Sequence, residues 1–111
     1  MRVVINSGFG TFGLSRFAFD LLNQAAHPAA KDDAELLGSL PAAFELWECY
    51  CRMIERHDPQ LLAMIDEHGL QRIVSPSCTG KVVELPDGTD YMVIGFDTGH
   101  EAIVDRRYYW E

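Results

Sequence analysis

Apolar and polar positions divide the chain into stretches of two different periods. Val3, Val4 and Ile5 are consecutive β-branched residues and predict a short buried strand. From Ser15 to Ala26 the spacing becomes helical. Phe17, Leu21 and Ala25 share a face with Leu14, Phe19 and Leu22 widen it, and Arg16 and Asp20 stand i,i+4 as an exposed ion pair. His27-Pro28 ends this helix, because the residue before proline is pushed out of helical geometry. Residues 29–40 fit either one helical turn around Ala34 to Leu37 or a surface loop. Pro41 opens a second predicted helix running to about Arg56. Phe44, Trp47, Cys51 and Ile54 form its apolar stripe, Leu46, Tyr50 and Met53 broaden it, and Glu45, Glu48, Arg52 and Glu55 lie opposite.

Asp58-Pro59 is a restart signal, a capping carboxylate followed by proline at the first helical position. The third helix turns Leu61, Leu62 and Ile65 inward and stops at Gly69. Leu70 to Gly80 reads as a crossing segment with a short strand at Arg72 to Val74. From Lys81 the period falls to that of strands: Lys81–Leu85, Tyr91–Phe96 and Glu101–Arg106, joined by turns at Pro86-Asp87-Gly88-Thr89 and Asp97-Thr98-Gly99. The expected fold is a single α+β domain over residues 1–111. It has an antiparallel sheet of about four strands, the N-terminal strand plus the C-terminal meander, covered on one face by two or three helices. Tyr108, Tyr109 and Trp110 are too apolar for a free tail and are expected to dock on the core or form a subunit interface.

The apolar share of 48% of 111 residues is too high for a disordered chain. No apolar run approaches the ~20 residues of a membrane span, and the N-terminus has neither the basic start nor the apolar core of a signal peptide. A cytoplasmic protein without membrane partners is expected. A net charge of −8 argues against non-specific nucleic-acid binding, which needs a basic footprint. Cys49, Cys51 and Cys78 are odd in number, and C-x-C is neither a zinc knuckle nor a redox pair, so reduced thiols are expected.

The candidate chemistry centres on Gly8-Phe9-Gly10-Thr11-Phe12-Gly13, a glycine-rich loop between a predicted strand and a helix capped by Ser15. A dinucleotide fold requires a second parallel strand and an acidic residue about 20 positions on. The stretch after His27 reads as no strand and the later strands as antiparallel, and no lysine follows the last glycine as a P-loop demands. Two readings stay open. The loop is an anion cradle at a helix N-terminus, or a tight turn whose Phe9 and Phe12 plug the core. Under the first, Asn6, Ser7, Gly8, Phe9, Gly10, Thr11, Phe12, Gly13 and Ser15 bind the ligand. Arg16, Lys81, Arg106 and Arg107 converge on it if the N-terminal strand pairs with the meander.

His27, His57, His68 and His100 form no metal-binding spacing and read as surface histidines, with His68 complementing a helix C-terminus. Cys78 reads as a buried thiol. Asp97, His100 and Glu101 gather at a turn and are the nearest thing to an acid–base cluster. No catalytic residues, metal ligands or cofactor are assigned, and the reading is non-catalytic.

Three segments carry a resemblance: VVINSGFGTFGLS, RHDPQLLAMIDEHG and KVVELPDGTDYMVIGFD. In this order they resemble a family of small, mostly uncharacterised bacteriophage and prophage proteins. That family pairs an N-terminal V-I-N-x-x-[FY]-G-G-F-x-[LV]-S motif with R-x-D-P-x-L and a late V-V-E-I-P-D. Asn6, Phe9, Gly10, Phe12, Ser15, Arg56, Asp58, Pro59, Glu84, Pro86 and Asp87 match. Thr11 replaces the second loop glycine, and residues 29–55 depart from the pattern. The resemblance implies a phage-related accessory protein of the host cytoplasm. By analogy with compact phage proteins that sequester nucleotide-derived immune signals, a small phosphorylated ligand and a homo-oligomer are expected. The alternatives are a module that inhibits a host protein through an acidic, aromatic surface, and a small nucleotide-processing enzyme using Asp97, His100 or Glu101.

Overall fold

The computed structural model describes residues 1–8, 10–30, 50–51 and 54–108. Their order is β1 (Arg2–Asn6), α1 (Arg16–Gln24), α2 (Pro59–His68), α3 (Leu70–Ile73), β2 (Gly80–Glu84), β3 (Tyr91–Gly95), β4 (Glu101–Asp105) and a closing 3₁₀ turn (Arg106–Tyr108). The mixed helix-and-strand class is as expected. The four strands, however, pair as two antiparallel ladders, β1 with β2 and β3 with β4, and not as one sheet.

The reason lies on the outer edge of β1. Ser7 N–H bonds to Thr79 and Leu85 N–H to Met1, so odd-numbered β1 residues spend their backbone groups on β2. Those of Val4 and Asn6 point the other way. Val4 N–H donates to the Arg56 carbonyl at 2.8 Å, and Asn6 N–H donates to the Glu101 carboxylate at 2.8 Å. The edge is sealed by a loop and a side chain, so no third strand can add there. The β3–β4 hairpin stacks over the ladder instead. Ile5 and Val83 meet Ile103 across an apolar cleft of about 380 Å³, while Val4 and Val82 face the helical core on the other side.

Both long helices start where predicted. Ser15 caps α1 by accepting from Ala18 N–H, and its hydroxyl donates to the Arg72 carbonyl at 2.6 Å. Asp58 caps α2 with Pro59 at the first position. The buried face of α1 is Ala18, Phe19 and Leu22; Ala25 is exposed. Arg16 and Asp20 make the expected pair at 3.1 Å.

Two element assignments are corrected. The second predicted helix falls largely outside the described residues, but its end does not reach Arg56. Tyr50 exchanges both backbone hydrogen bonds with Leu14, and Cys51 has φ +52, which no right-handed helix admits. The strand expected at Arg72–Val74 is instead the end of α3, after which Val74 bridges Leu14. Leu14, fully buried between Tyr50 and Val74, ties the helical half together. Among the described residues no helix is long and apolar enough to cross a membrane. Tyr109 and Trp110 lie outside the described residues.

Two glycines make the loop crossing possible. Gly10 (φ +93) lies so close to Ser77 that a Cβ would sit 1.9 Å from its carbonyl oxygen, and Gly99 (φ +92) would put one 1.7 Å from the oxygen of Gly10. Both neighbours are backbone and cannot step aside. Gly10→Ala and Gly99→Ala are each expected to cost on the order of 2 kcal/mol or more, lowering Tm by roughly 8 °C or more. Gly95→Ala, with nothing within 4 Å of the new Cβ, is the control and should leave Tm within a degree or two in the same scan.

Candidate functional site

The corner between β1, the glycine-rich loop and the β3–β4 turn is organised by Asn6, whose side chain is fully buried. Its amide nitrogen donates to the carbonyls of Gly10 at 2.8 Å and Gly99 at 2.9 Å. Its amide oxygen accepts from the N–H groups of Gly8 at 3.2 Å and Thr79 at 3.0 Å. Both donors and both acceptor positions are used, which fixes the amide's orientation. No shorter or longer side chain reaches all four. The loop backbone is held further by Gly10 N–H to Thr98 and Ser7 N–H to Thr79.

Beside Asn6 lies a bidentate ion pair. Arg56 Nη1 and Nη2 donate to Glu101 Oε1 and Oε2 at 2.6 and 2.8 Å, with side chains 15% and 11% exposed. The guanidinium also stacks on the Phe12 ring at 3.6 Å. Glu101 therefore accepts from Arg56 and from the Asn6 backbone together, and its position in the strand pattern revealed none of this. In the sequence Arg56 reads as the end of the second predicted helix and as part of a motif. The Asp-Pro that follows it, anchoring α2, was the available signal that this segment is immobilised.

The structure gathers Asn6, Ser7, Gly8 and Gly10 at this corner, with Phe12 buried under Arg56. Gly13 and Ser15 lie instead against Ser75, Ile73 and Arg72, and Thr11 is exposed. Phe9 lies outside the described residues. Lys81 is exposed on β2 opposite Ile5. Arg16 sits at the start of α1, paired with Asp20 and over the rings of Phe19 and Tyr50. Arg106 and Arg107 do not converge on the loop. They follow β4 at the end of the hairpin opposite the Gly99 turn, paired with Asp90 and Asp105. The acid–base cluster also disperses, because Glu101 is committed to Arg56 while His100 is exposed, stacked on Phe96 and bonded to Thr98.

Arg106 borders a different feature, an open groove of about 630 Å³ between residues 54–57 and β3. Glu55, Arg56 and His57 form one wall, and Thr89, Asp90, Tyr91 and Val93 the other. The Tyr91 hydroxyl shares a hydrogen bond with His57 Nδ1, and Glu55 lies 3.6 Å from His57 Nε2. Burial, reinforced by the Glu55 charge and opposed by Arg56, pushes the Tyr91 phenol above its ordinary pKa. It stays a neutral hydrogen-bonding group at physiological pH. Among the described residues no three His, Cys, Asp or Glu side chains are gathered as metal ligands.

The expectation of surface histidines fails at His27, whose side chain is 14% exposed and bonds Asp58 Oδ2 through Nε2 at 2.8 Å. His27 Nδ1 accepts from Ala29 N–H at 3.1 Å. The neutral tautomer with its proton on Nε2 is therefore the one that fits, and it links the end of α1 to the cap of α2. Burial raises the Asp58 carboxyl, but hydrogen bonds from His27 and from the N–H groups of Leu61 and Gln60 outweigh it and hold the pKa below the usual value. Comparison with protein-family models, with curated proteins and with solved structures returned no match.

Two outcomes follow from this geometry. Arg56→Met strands a buried carboxylate and is expected to cost about 3–5 kcal/mol. Arg56→Met combined with Glu101→Gln should cost clearly less than the sum of the two single changes, as read by a double-mutant cycle in denaturant. Because the folded Asp58 pKa lies below its unfolded value, its stabilising contribution is present above roughly pH 4 and lost as pH falls further. Asp58→Asn keeps a capping side chain, and its Tm should fall less steeply on acidification than that of the native chain.

Proposed function

We propose that this chain is a phage-type accessory protein of the host cytoplasm that binds a small phosphorylated, nucleotide-derived ligand, of the kind made as a bacterial immune signal, and sequesters it without catalysis. The observation that carries the reading is the groove beside β3. Its volume is in the range of small-ligand sites. The rings of His57 and Tyr91 meet edge to face there, 5.5 Å between centroids. The exposed His57 ring offers one face for a base to stack on, and Arg106 also lines the groove. The exposed Arg106–Asp90 pair, at 3.4 Å, is weak and exchanges readily for a bidentate phosphate contact. The glycine-rich loop takes a supporting part: through Asn6, Glu101 and Arg56 it holds the 54–57 wall in place.

A phenol held neutral and a guanidinium already paired with a carboxylate favour holding a ligand over transforming it. A second reading, a module that inhibits a host protein, is favoured by Phe96, which is 49% exposed beside the acidic Asp97 turn.

A thermal-shift series with ADP-ribose derivatives and cyclic dinucleotides separates the two. A ligand at about 100 times its Kd adds ~2.7 kcal/mol to native stability and should raise Tm by several degrees. It should be recovered chemically unchanged. Arg106→Ala and His57→Ala should fold normally and lose the shift. No shift with any member of either ligand class, together with a stoichiometric partner captured from host lysate, would overturn the ligand reading in favour of the protein one.

A further inference from the structure

The β3–β4 hairpin has an edge that the rest of the fold does not account for. Arg106 N–H bonds to Asp90 and Phe96 N–H to His100, so the even-numbered residues of β3 spend their backbone groups on β4. Those of Tyr91, Val93 and Gly95 point to the other side. Among the described residues no backbone group accepts from the N–H of any of the three, and the carbonyls of Val93 and Gly95 receive no hydrogen bond. The strand is Tyr-Met-Val-Ile-Gly, without a charge, a proline or a bulge. Soluble proteins guard open edges with those devices, and an edge lacking all of them is one that is covered.

We infer that β3 is the seam of a homodimer, pairing antiparallel with β3 of a second copy about a two-fold axis through Val93. The outward groups suit this register. Val93 faces Val93 of the second copy, and Tyr91 faces Gly95, so every outward N–H meets an outward carbonyl. Nothing lies within 4 Å of a Cβ built on Gly95, which leaves room for the partner residue opposite. Electrostatics favours the same place. Each chain carries −8, so two copies repel wherever acidic surfaces meet, and β3 is an uncharged run of five residues. A symmetric pairing joins the two hairpins into one four-stranded sheet, β4–β3–β3–β4. Tyr91 and Val93 also wall the groove, so the seam runs along it, but the pairing is argued from the backbone of β3 and needs no ligand.

The test combines light scattering with hydrogen exchange on the native chain. The expected result is a two-chain mass at about 100 μM, with the amides of Tyr91, Val93 and Gly95 protected and losing protection on dilution. Val93→Pro removes one outward N–H and no hairpin bond, and should give a folded monomer. Met92→Lys, which places two like charges diagonally across the seam, should weaken the dimer at least tenfold at low salt. A one-chain mass for the native protein overturns the proposal. So does a dimer in which those three amides exchange freely, or one that Met92→Lys leaves unchanged.

Discussion

One carboxamide holds three separate parts of this chain in a single arrangement. Asn6 closes hydrogen bonds to the glycine-rich loop, to the β3–β4 turn and to the segment entering β2, from a position wholly removed from water. A buried amide left partly unsatisfied is costly, so the network is formed as a unit or not at all. The Arg56–Glu101 pair extends it, because Glu101 also accepts from the Asn6 backbone. Strand, loop, turn and the start of the 54–58 segment thereby share one set of polar contacts.

This network changes the meaning of the glycines. A Gly-rich loop before a helix permits close approach of the backbone to something, and the sequence does not say to what. Here it is the chain itself: Gly10 lies against Ser77, and Gly99 against Gly10. The amides of residues 7, 8 and 10, which an anion cradle would present outward, are spent on Thr79, Asn6 and Thr98. The loop is a clasp, and the groove it braces lies on the other side of Arg56.

The same network explains the division into two ladders. A strand continues a sheet only if its outer N–H and C=O groups are available, and on β1 they are taken by Arg56 and Glu101. The hairpin is left to stack and not to pair. Its inner face covers Ile5 and Val83, and β3 lines the groove opposite residues 54–57. The two contacts that seal the β1 edge thus also keep β3 from pairing with it.

Local signals along the chain were sufficient for what depends on near neighbours. Ser15 and Asp58 as caps, Pro59 at a helix start, the Arg16–Asp20 pair and the turns at residues 86–89 and 97–99 all rest on interactions within a few positions, and periodicity alone marked the three late strands. The end of the second predicted helix failed because the Tyr50–Leu14 exchange and the positive φ at Cys51 answer to residues far away. Strand order, the burial of His27 against Asp58, and the choice of Arg56 over Arg106 as the cation beside the loop were likewise decided in three dimensions. A sequence shows which groups need partners. Only the fold brings a donor from residue 56 to an acceptor at residue 101, and burial then makes that pairing obligatory.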